Sequence, residues 1–331
     1  MIGFIFLLFS CNLFAGICDD LQIELYEAIE SVPSPGAQLY VNLADGNNCS
    51  ISSGMFKVST EEVMSTSSRL KAWSISKTFT HVAILKLIES GRINLDQKLK
   101  ELETTYPYLY QGHLQNYPQS EKISLRHLLS HTSGIIDYMT LPVFLNNWEQ
   151  TLVPGEIISI ASQNQDAVSP GEINRYSNTT MMILARIIEV VSGNSMEAFV
   201  ESHLFQPANL NLSYFAKKMT GWGAIHGYGV DENNNFVERT QKVSPSMAWG
   251  TGAIVSSASD LSSWFKSLLE FKILSSEMTK LMLTPVLLND GSEANYGLGF
   301  HIQKYSNGFI LIGHGGGPLE GNSATMLYSP Q

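Results

Sequence analysis

The stretch Trp73-Ser74-Ile75-Ser76-Lys77-Thr78 stands at the head of an apolar segment, residues 79–88, that stops at Gly91. The segment reads as a helix apolar on nearly every side, the pattern of a helix that runs through a core. Residues three apart on a helix share a face, so the Ser74 hydroxyl and the Lys77 amine come within hydrogen-bond reach. Desolvation lowers a lysine pKa, and an amine with a weakened hold on its proton helps a neighbouring serine act as a nucleophile. The same spacing recurs at Ser263 and Lys266, but in an amphipathic helix where Lys266 belongs to the solvated face.

With 331 residues, 44% of them hydrophobic and 15% charged, the chain buries a full core without a disulfide framework or a metal staple. A formal charge of -10, with no stretch that gathers Lys and Arg, argues against a nucleic-acid surface. His127 and His131 lie four apart but lack a third ligand and the Glu of the zinc-protease pattern, so they read as structural and no metal is implied. Residues 1–16 are almost wholly apolar, and residues 2–9 are too short to span a bilayer. They read as a signal peptide, although no Lys or Arg precedes them. The mature chain, residues 17–331, is then exported to the periplasm, the cell envelope or the medium, with no transmembrane span of its own. Leu8-Phe9-Ser10-Cys11 offers an alternative, a lipoprotein signal with a lipid anchor on Cys11. Cys18 and Cys49 remain after simple cleavage, either as a disulfide or as two free thiols.

Taken in order, the chain opens with a helix at residues 19–31, stopped by Pro33 and Pro35, and strands at 36–42 and about 51–58. Helical spacing then dominates at 79–88, 125–129 and 181–191, and a further helix at 260–269 is expected to be capped by Ser259 or Asp260. Strand patterns return at 296–303, 308–312 and 323–328. The expected class is α+β, with a sheet region from both ends (about 19–64 and 244–331) and an inserted, mainly helical region (about 65–243). The chain stops at Gln331 directly after a strand; an uncovered edge is normally avoided, so a further strand and helix are expected beyond it.

An acyl-transfer site needs a nucleophile, a base and backbone donors for the oxyanion. The nucleophile elbow Gly-x-Ser-x-Gly is absent from the sequence, which argues against an α/β-hydrolase. Tyr-x-Asn occurs three times, but Asn307-Gly308 is a hairpin turn and Asn42 closes a strand. Tyr176-Ser177-Asn178 alone follows a Pro170-Gly171 turn and enters a helix, which leaves the Tyr176 hydroxyl and the Asn178 amide free to face a cleft. His314-Gly315-Gly316-Gly317 ends a strand-like run at 309–313, where glycines admit a ligand close to the backbone. Taken alone, such a turn is more often a flexible connection.

In this order the motifs resemble the serine β-lactamase and penicillin-binding protein superfamily, in its class C β-lactamase and DD-peptidase branch. The likeness extends from residue 19 to the end. It includes Leu128-Leu129-Ser130-His131-Thr132-Ser133-Gly134, Leu184-Ala185-Arg186-Ile187-Ile188-Glu189, and Gly250-Thr251-Gly252 leading to Ser259-Asp260-Leu261. The resemblance implies that Ser74 is acylated, that Lys77 assists its deprotonation, and that Tyr176 is the general base that returns the proton to the leaving group. It further implies that Asn178, His314, Gly315 and Gly316 contact substrate, and that the backbone amides of Ser74 and Gly317 form the oxyanion hole. The implied fold is an antiparallel sheet flanked by helices with a helical domain beside it, and no cofactor is implied. Implied substrates are D-alanyl peptides, amides or esters, in the manner of a DD-carboxypeptidase. A class C-like β-lactamase, an esterase and a non-catalytic peptidoglycan-binding relative are the alternatives. His314 stands where class C β-lactamases carry a lysine, and an imidazole is only partly protonated near neutral pH. That departure moves weight away from β-lactams.

Overall fold

The computed structural model describes residues 10–109, 117–145, 147–164, 168–216, 223, 225–240, 243–317 and 320–330. Residues 1–9 and the Cys11 side chain, on which the signal-peptide and lipid-anchor readings rest, lie outside this set. Helix α1 (Ser10–Ser31) ends before Pro33 and lies along a three-stranded antiparallel sheet of β1 (Gly36–Asn42), β2 (Asn48–Lys57) and β3 (Glu62–Val63). Asn42 pairs with Asn48 and Gly36 with Gly54, so the turn at Asp45-Gly46 sets the register. Cys49, in β2, forms a disulfide with Cys18 of α1. Closing a 31-residue separation in this way contributes about 3–4 kcal/mol by the chain-entropy model.

The short strands β4 (Leu70–Lys71), β5 (Tyr214–Phe215), the hairpin of β6 (Tyr228–Val230) with β7 (Phe236–Glu238), and β8 (Ile254–Ser256) follow in the chain. β8 pairs antiparallel with both β4 and β5, which brings Lys71 opposite Val255. A second three-stranded antiparallel sheet joins β9 (His301–Lys304), β10 (Ile310–Gly316) and β11 (Ala324–Tyr328) in the order β11-β10-β9. β9 starts later than the alternation predicts, because Gly299 holds φ 121° and Tyr296 only bridges to His301. β10 runs on through His314 and Gly316, opposite Met326 and Ala324, where a loose turn was expected.

Between the sheets lie α2 (Ser76–Glu89), α3 (Leu99–Thr105), α4 (Leu125–Leu129), α5 (Pro142–Leu145), α6 (Pro154–Ser162), α7 (Asn178–Ser192), α8 (Met196–Val200), α9 (Pro245–Gly252), α10 (Ala258–Leu269) and α11 (Ser276–Met282). α10 starts two residues earlier than expected, since Ser257 rather than Ser259 or Asp260 accepts the Asp260 amide as its cap. α2 is buried almost throughout, and its Phe79 ring stacks 4.0 Å from Trp264 of α10. Each such side chain stabilises the fold by roughly 1.5–3 kcal/mol, so α2 is fixed from several sides and its N-terminus cannot shift freely. α7 and α9 enclose it; an added Cβ on Gly250 would sit 2.6 Å from the Ala185 methyl, so the two helices meet at backbone distance. Lys266 lies on the exposed side of α10, 3.8 Å from Glu270.

Candidate active site

Ser74 sits in a tight turn, Trp73–Ile75, that leads straight into α2. Trp73 holds φ 46°, a conformation that costs a non-glycine residue free energy and persists only when its surroundings impose it. Its indole Nε1 donates to the Asn322 carbonyl at 3.1 Å and to Asn322 Oδ1 at 3.2 Å, which fixes the ring. As a result Ser74 is partly exposed, whereas Trp73, Ile75, Ser76 and Lys77 are buried. Lys77 is wholly buried, with Nζ 2.8 Å from Ser74 Oγ and 3.0 Å from the Thr251 carbonyl oxygen. Desolvation pulls its ammonium from 10.5 to about 7, against a smaller opposing effect of the Asp137 charge. At neutral pH a large share of Lys77 is therefore a free amine beside the serine.

Tyr176 approaches from the other side: its phenol is hydrogen-bonded to the Ser74 side chain, and Lys77 Nζ lies 5.0 Å from its ring centroid. Burial raises the phenol well above its usual value, so it is neutral and protonated. Ser74 thus stands between an amine able to accept a proton and a phenol able to donate one. Asn178 is the first residue of α7. Its amide is not free as the sequence suggests, because Nδ2 donates to Asp137 Oδ2 at 2.8 Å, although the residue still lines the cleft. Asp137 in turn caps its own turn by accepting the Met139 amide at 3.0 Å, and burial raises its carboxyl above the usual range.

The third motif closes the site from the end of β10. An added Cβ on Gly316 would lie 2.2 Å from the Ala72 carbonyl oxygen and 3.0 Å from the Ser74 nitrogen, so only glycine allows β10 to press on the turn that carries Ser74. Gly317, at φ 108°, lines the cleft together with Ser74. Gly315 is exposed. His314 is 3% exposed, and its Nδ1 lies 2.6 Å from the Gly315 carbonyl oxygen. Burial, with the Lys77 and His301 charges adding to it, pushes its imidazolium well below 6.5. The partial protonation expected of His314 therefore does not hold near neutral pH; the ring is neutral and sits 6.1 Å from Tyr176.

Three contributors, His81, Tyr296 and His301, escape sequence reading. His81, His131, His301 and His314 gather around Tyr296, with ring centroids 6.2, 5.1, 4.7 and 6.3 Å from it. His131 Nδ1 accepts the Ser177 amide at 3.2 Å, so it fixes the corner that presents Tyr176. His81 Nδ1 bonds the Lys77 carbonyl at 2.6 Å, and desolvation brings its imidazolium down to about 4. Three of these rings are neutral behind the Lys77 and Tyr176 pair, which keeps cationic charge away from Lys77. Asp137 carries no motif signal in the sequence, and its contact with Asn178 appears only once α7 is in place. The cleft itself has a volume of about 130 Å³ and is walled by Met139, Trp148, Met247 and Thr251 among others. A wider depression of about 530 Å³ at Ile88, Arg92 and Gln97 lies at the other end of α2 and holds none of these groups.

Residues 29–331 match the family described as Beta-lactamase. The chain is 28% identical over 294 residues to penicillin-binding protein 4* of Bacillus subtilis, covering 83% of this chain and 61% of that protein. It is 24% identical over 266 residues to a D-aminopeptidase of Brucella anthropi, covering 80% of this chain and 48% of that protein. Among solved structures, a D-stereospecific amidohydrolase from Streptomyces sp. superposes with a TM-score of 0.75 at 26% identity, covering 94% of this chain and 90% of the other. The chain spans about half to three fifths of the length of the curated relatives. With the family match extending over nearly all of its length and the Ser74, Tyr176 and His314 motifs meeting in one cleft, the chain belongs to the β-lactamase family.

Proposed function

We propose that the protein is a serine hydrolase that works through an acyl-enzyme on Ser74, with amides and esters of D-alanyl or related D-amino acyl groups as substrates. The observation that carries this reading is the placement of Ser74 Oγ between the Lys77 amine, 2.8 Å away, and the Tyr176 phenol. In this scheme Ser74 Oγ attacks the acyl carbon while its proton passes to Lys77. The oxyanion is received by the backbone amides of Ser74 and Gly317. Collapse expels the leaving group, which takes up a proton through Tyr176, resupplied from Lys77. Water then attacks the ester, gives its proton to the same pair, and Ser74 regains its own. The resemblance implies Tyr176 as the base, but burial favours its protonated form, and Lys77 is the better acceptor.

The neutral, buried His314 supports amides and esters over substrates that need a fixed cation for a carboxylate. The likeness to a D-stereospecific amidohydrolase supports the same choice. Export is proposed as well, supported by the Cys18 to Cys49 disulfide, a bond that persists in oxidising compartments. Among the described residues no helix is long and apolar enough to cross a membrane. The test is turnover of D-alanine amide, a D-alanyl ester, a D-Ala-D-Ala peptide and benzylpenicillin, with Ser74→Ala as control. Amide and ester cleavage that Ser74→Ala abolishes supports the reading. Rapid penicillin turnover would establish the β-lactamase alternative, and a D-Ala-D-Ala preference the carboxypeptidase. No turnover of any substrate and no adduct on folded protein would leave a non-catalytic binder.

A further inference from the structure

We infer that the buried ion pair between Lys71 and Glu320 is the positioning element of the oxyanion hole, fixing the Gly317 amide against the Ser74 amide. The inference rests on the acyl-enzyme reading of Ser74. Lys71 lies three residues before Ser74, and Glu320 three residues after Gly317. Both side chains are 1% exposed, and Lys71 Nζ donates to Glu320 Oε2. The other carboxylate oxygen accepts the Val243 amide, just ahead of α9, whose Thr251 carbonyl holds Lys77. Two charges taken out of water are costly, and well-packed apolar residues of similar volume would serve stability as well or better. What apolar residues cannot supply is a directional tie between the two segments.

That tie is reinforced beside it. Asn322 Nδ2 donates to the Lys71 carbonyl at 2.9 Å, and Trp73 Nε1 donates to the Asn322 carbonyl at 3.1 Å. Residues 320–322 are thus fastened to residues 71–73 on the flanks of both oxyanion donors. The fit is close at the donors too: an added Cβ on Gly317 would lie 2.6 Å from the Asn322 carbonyl oxygen, and one on Gly316 would lie 3.0 Å from the Ser74 nitrogen. Gly317 therefore packs directly on residues 322–323, the segment that Glu320 and Asn322 fasten to residues 71–73. Glu320 and Lys71 touch no reacting atom; they act through the Gly317 peptide.

The test compares an oxygen ester with the thionoester of the same acyl group, since a hole built for an oxyanion favours the oxygen ester and a displaced hole loses that preference. The variants are Glu320→Gln and the apolar pair Lys71→Met with Glu320→Leu, which removes the tie without leaving a buried charge. Loss of one oxyanion donor costs about 100- to 1000-fold in kcat. Displacement of Gly317 is expected to lower kcat on the oxygen ester at least tenfold, to change KM less than threefold, and to lower the oxygen-to-thiono ratio at least tenfold, with cooperative thermal unfolding retained. An unchanged ratio in the folded double variant, or equal losses on both esters, would overturn the inference. A wild-type protein that cleaves neither ester would instead overturn the acyl-enzyme reading, so the two failures are distinct.

Discussion

Replacing Lys77 with methionine separates what this lysine does for stability from what it does for chemistry. Bringing a wholly buried ammonium from 10.5 to about 7 corresponds to roughly 5 kcal/mol of destabilisation at pH values where the unfolded lysine is charged. The sign follows from proton counts: between pH 7 and 10.5 the unfolded chain binds more protons at this site, so stability rises with pH across that window. Below pH 7 the penalty is complete, and above 10.5 it is gone. Methionine fills a similar volume and removes the penalty, but it leaves the Thr251 carbonyl, now bonded to Nζ at 3.0 Å, without that donor. An unsatisfied buried group costs about 1–3 kcal/mol. The net expectation is that Lys77→Met is about 2–4 kcal/mol more stable than wild type at pH 6, with the advantage shrinking as pH rises and turning into a deficit of roughly 0–2 kcal/mol near pH 10. Turnover should fall about 100- to 10000-fold, the range for a positioned proton acceptor. Urea unfolding at four or five pH values, read by circular dichroism, measures the first quantity, and ester hydrolysis the second. A variant that is less stable than wild type by a constant amount at every pH would refute the claim that Lys77 is held as a desolvated amine.

Tyr176→Phe removes the phenol proposed to protonate the leaving group; the loss should be large for an amide, within about 100- to 10000-fold, and much smaller for a p-nitrophenyl ester, whose leaving group needs no proton. The buried imidazoles predict acid lability. A histidine whose pKa is lowered on folding costs nothing above pH 6.5 and progressively destabilises the fold as pH drops below it, by about 3 kcal/mol near pH 4 for His81 alone, with His131 and His314 adding in the same direction. The urea midpoint should therefore fall between pH 6.5 and 4. Reduction of the Cys18 to Cys49 bond should cost about 3–4 kcal/mol of stability while the rate at which an active-site probe labels folded protein stays within twofold, since the bond joins α1 to β2 and neither cysteine lines the cleft.

Much of this architecture is legible locally. The β1 boundaries follow from Pro35 and the Asp45-Gly46 turn, and the buried character of α2 follows from apolar residues on all its faces. The Ser74 and Lys77 pair needs only helical spacing, which is why it could be found without a fold. What the sequence hides is whatever depends on distant partners. Ser257 outcompetes Ser259 as the α10 cap because β8 delivers the chain there. His314 looks titratable until β9 and β11 bury it. The Asn178 amide looks free until Asp137 is folded against it, and Lys71 meets Glu320 across 249 positions. The four histidines around Tyr296 come from α2, the loop after α4, β9 and β10, so no spacing rule links them.

The central claim is that Ser74, and no other serine, is the nucleophile. Folded protein treated with a fluorophosphonate, followed by intact mass and peptide mapping, tests it directly. A single adduct is expected on the peptide that contains Ser74, lost in Ser74→Ala and slowed at least tenfold in Lys77→Met. Labelling that persists in a folded Ser74→Ala protein, or an adduct mapped to Ser263, would contradict it.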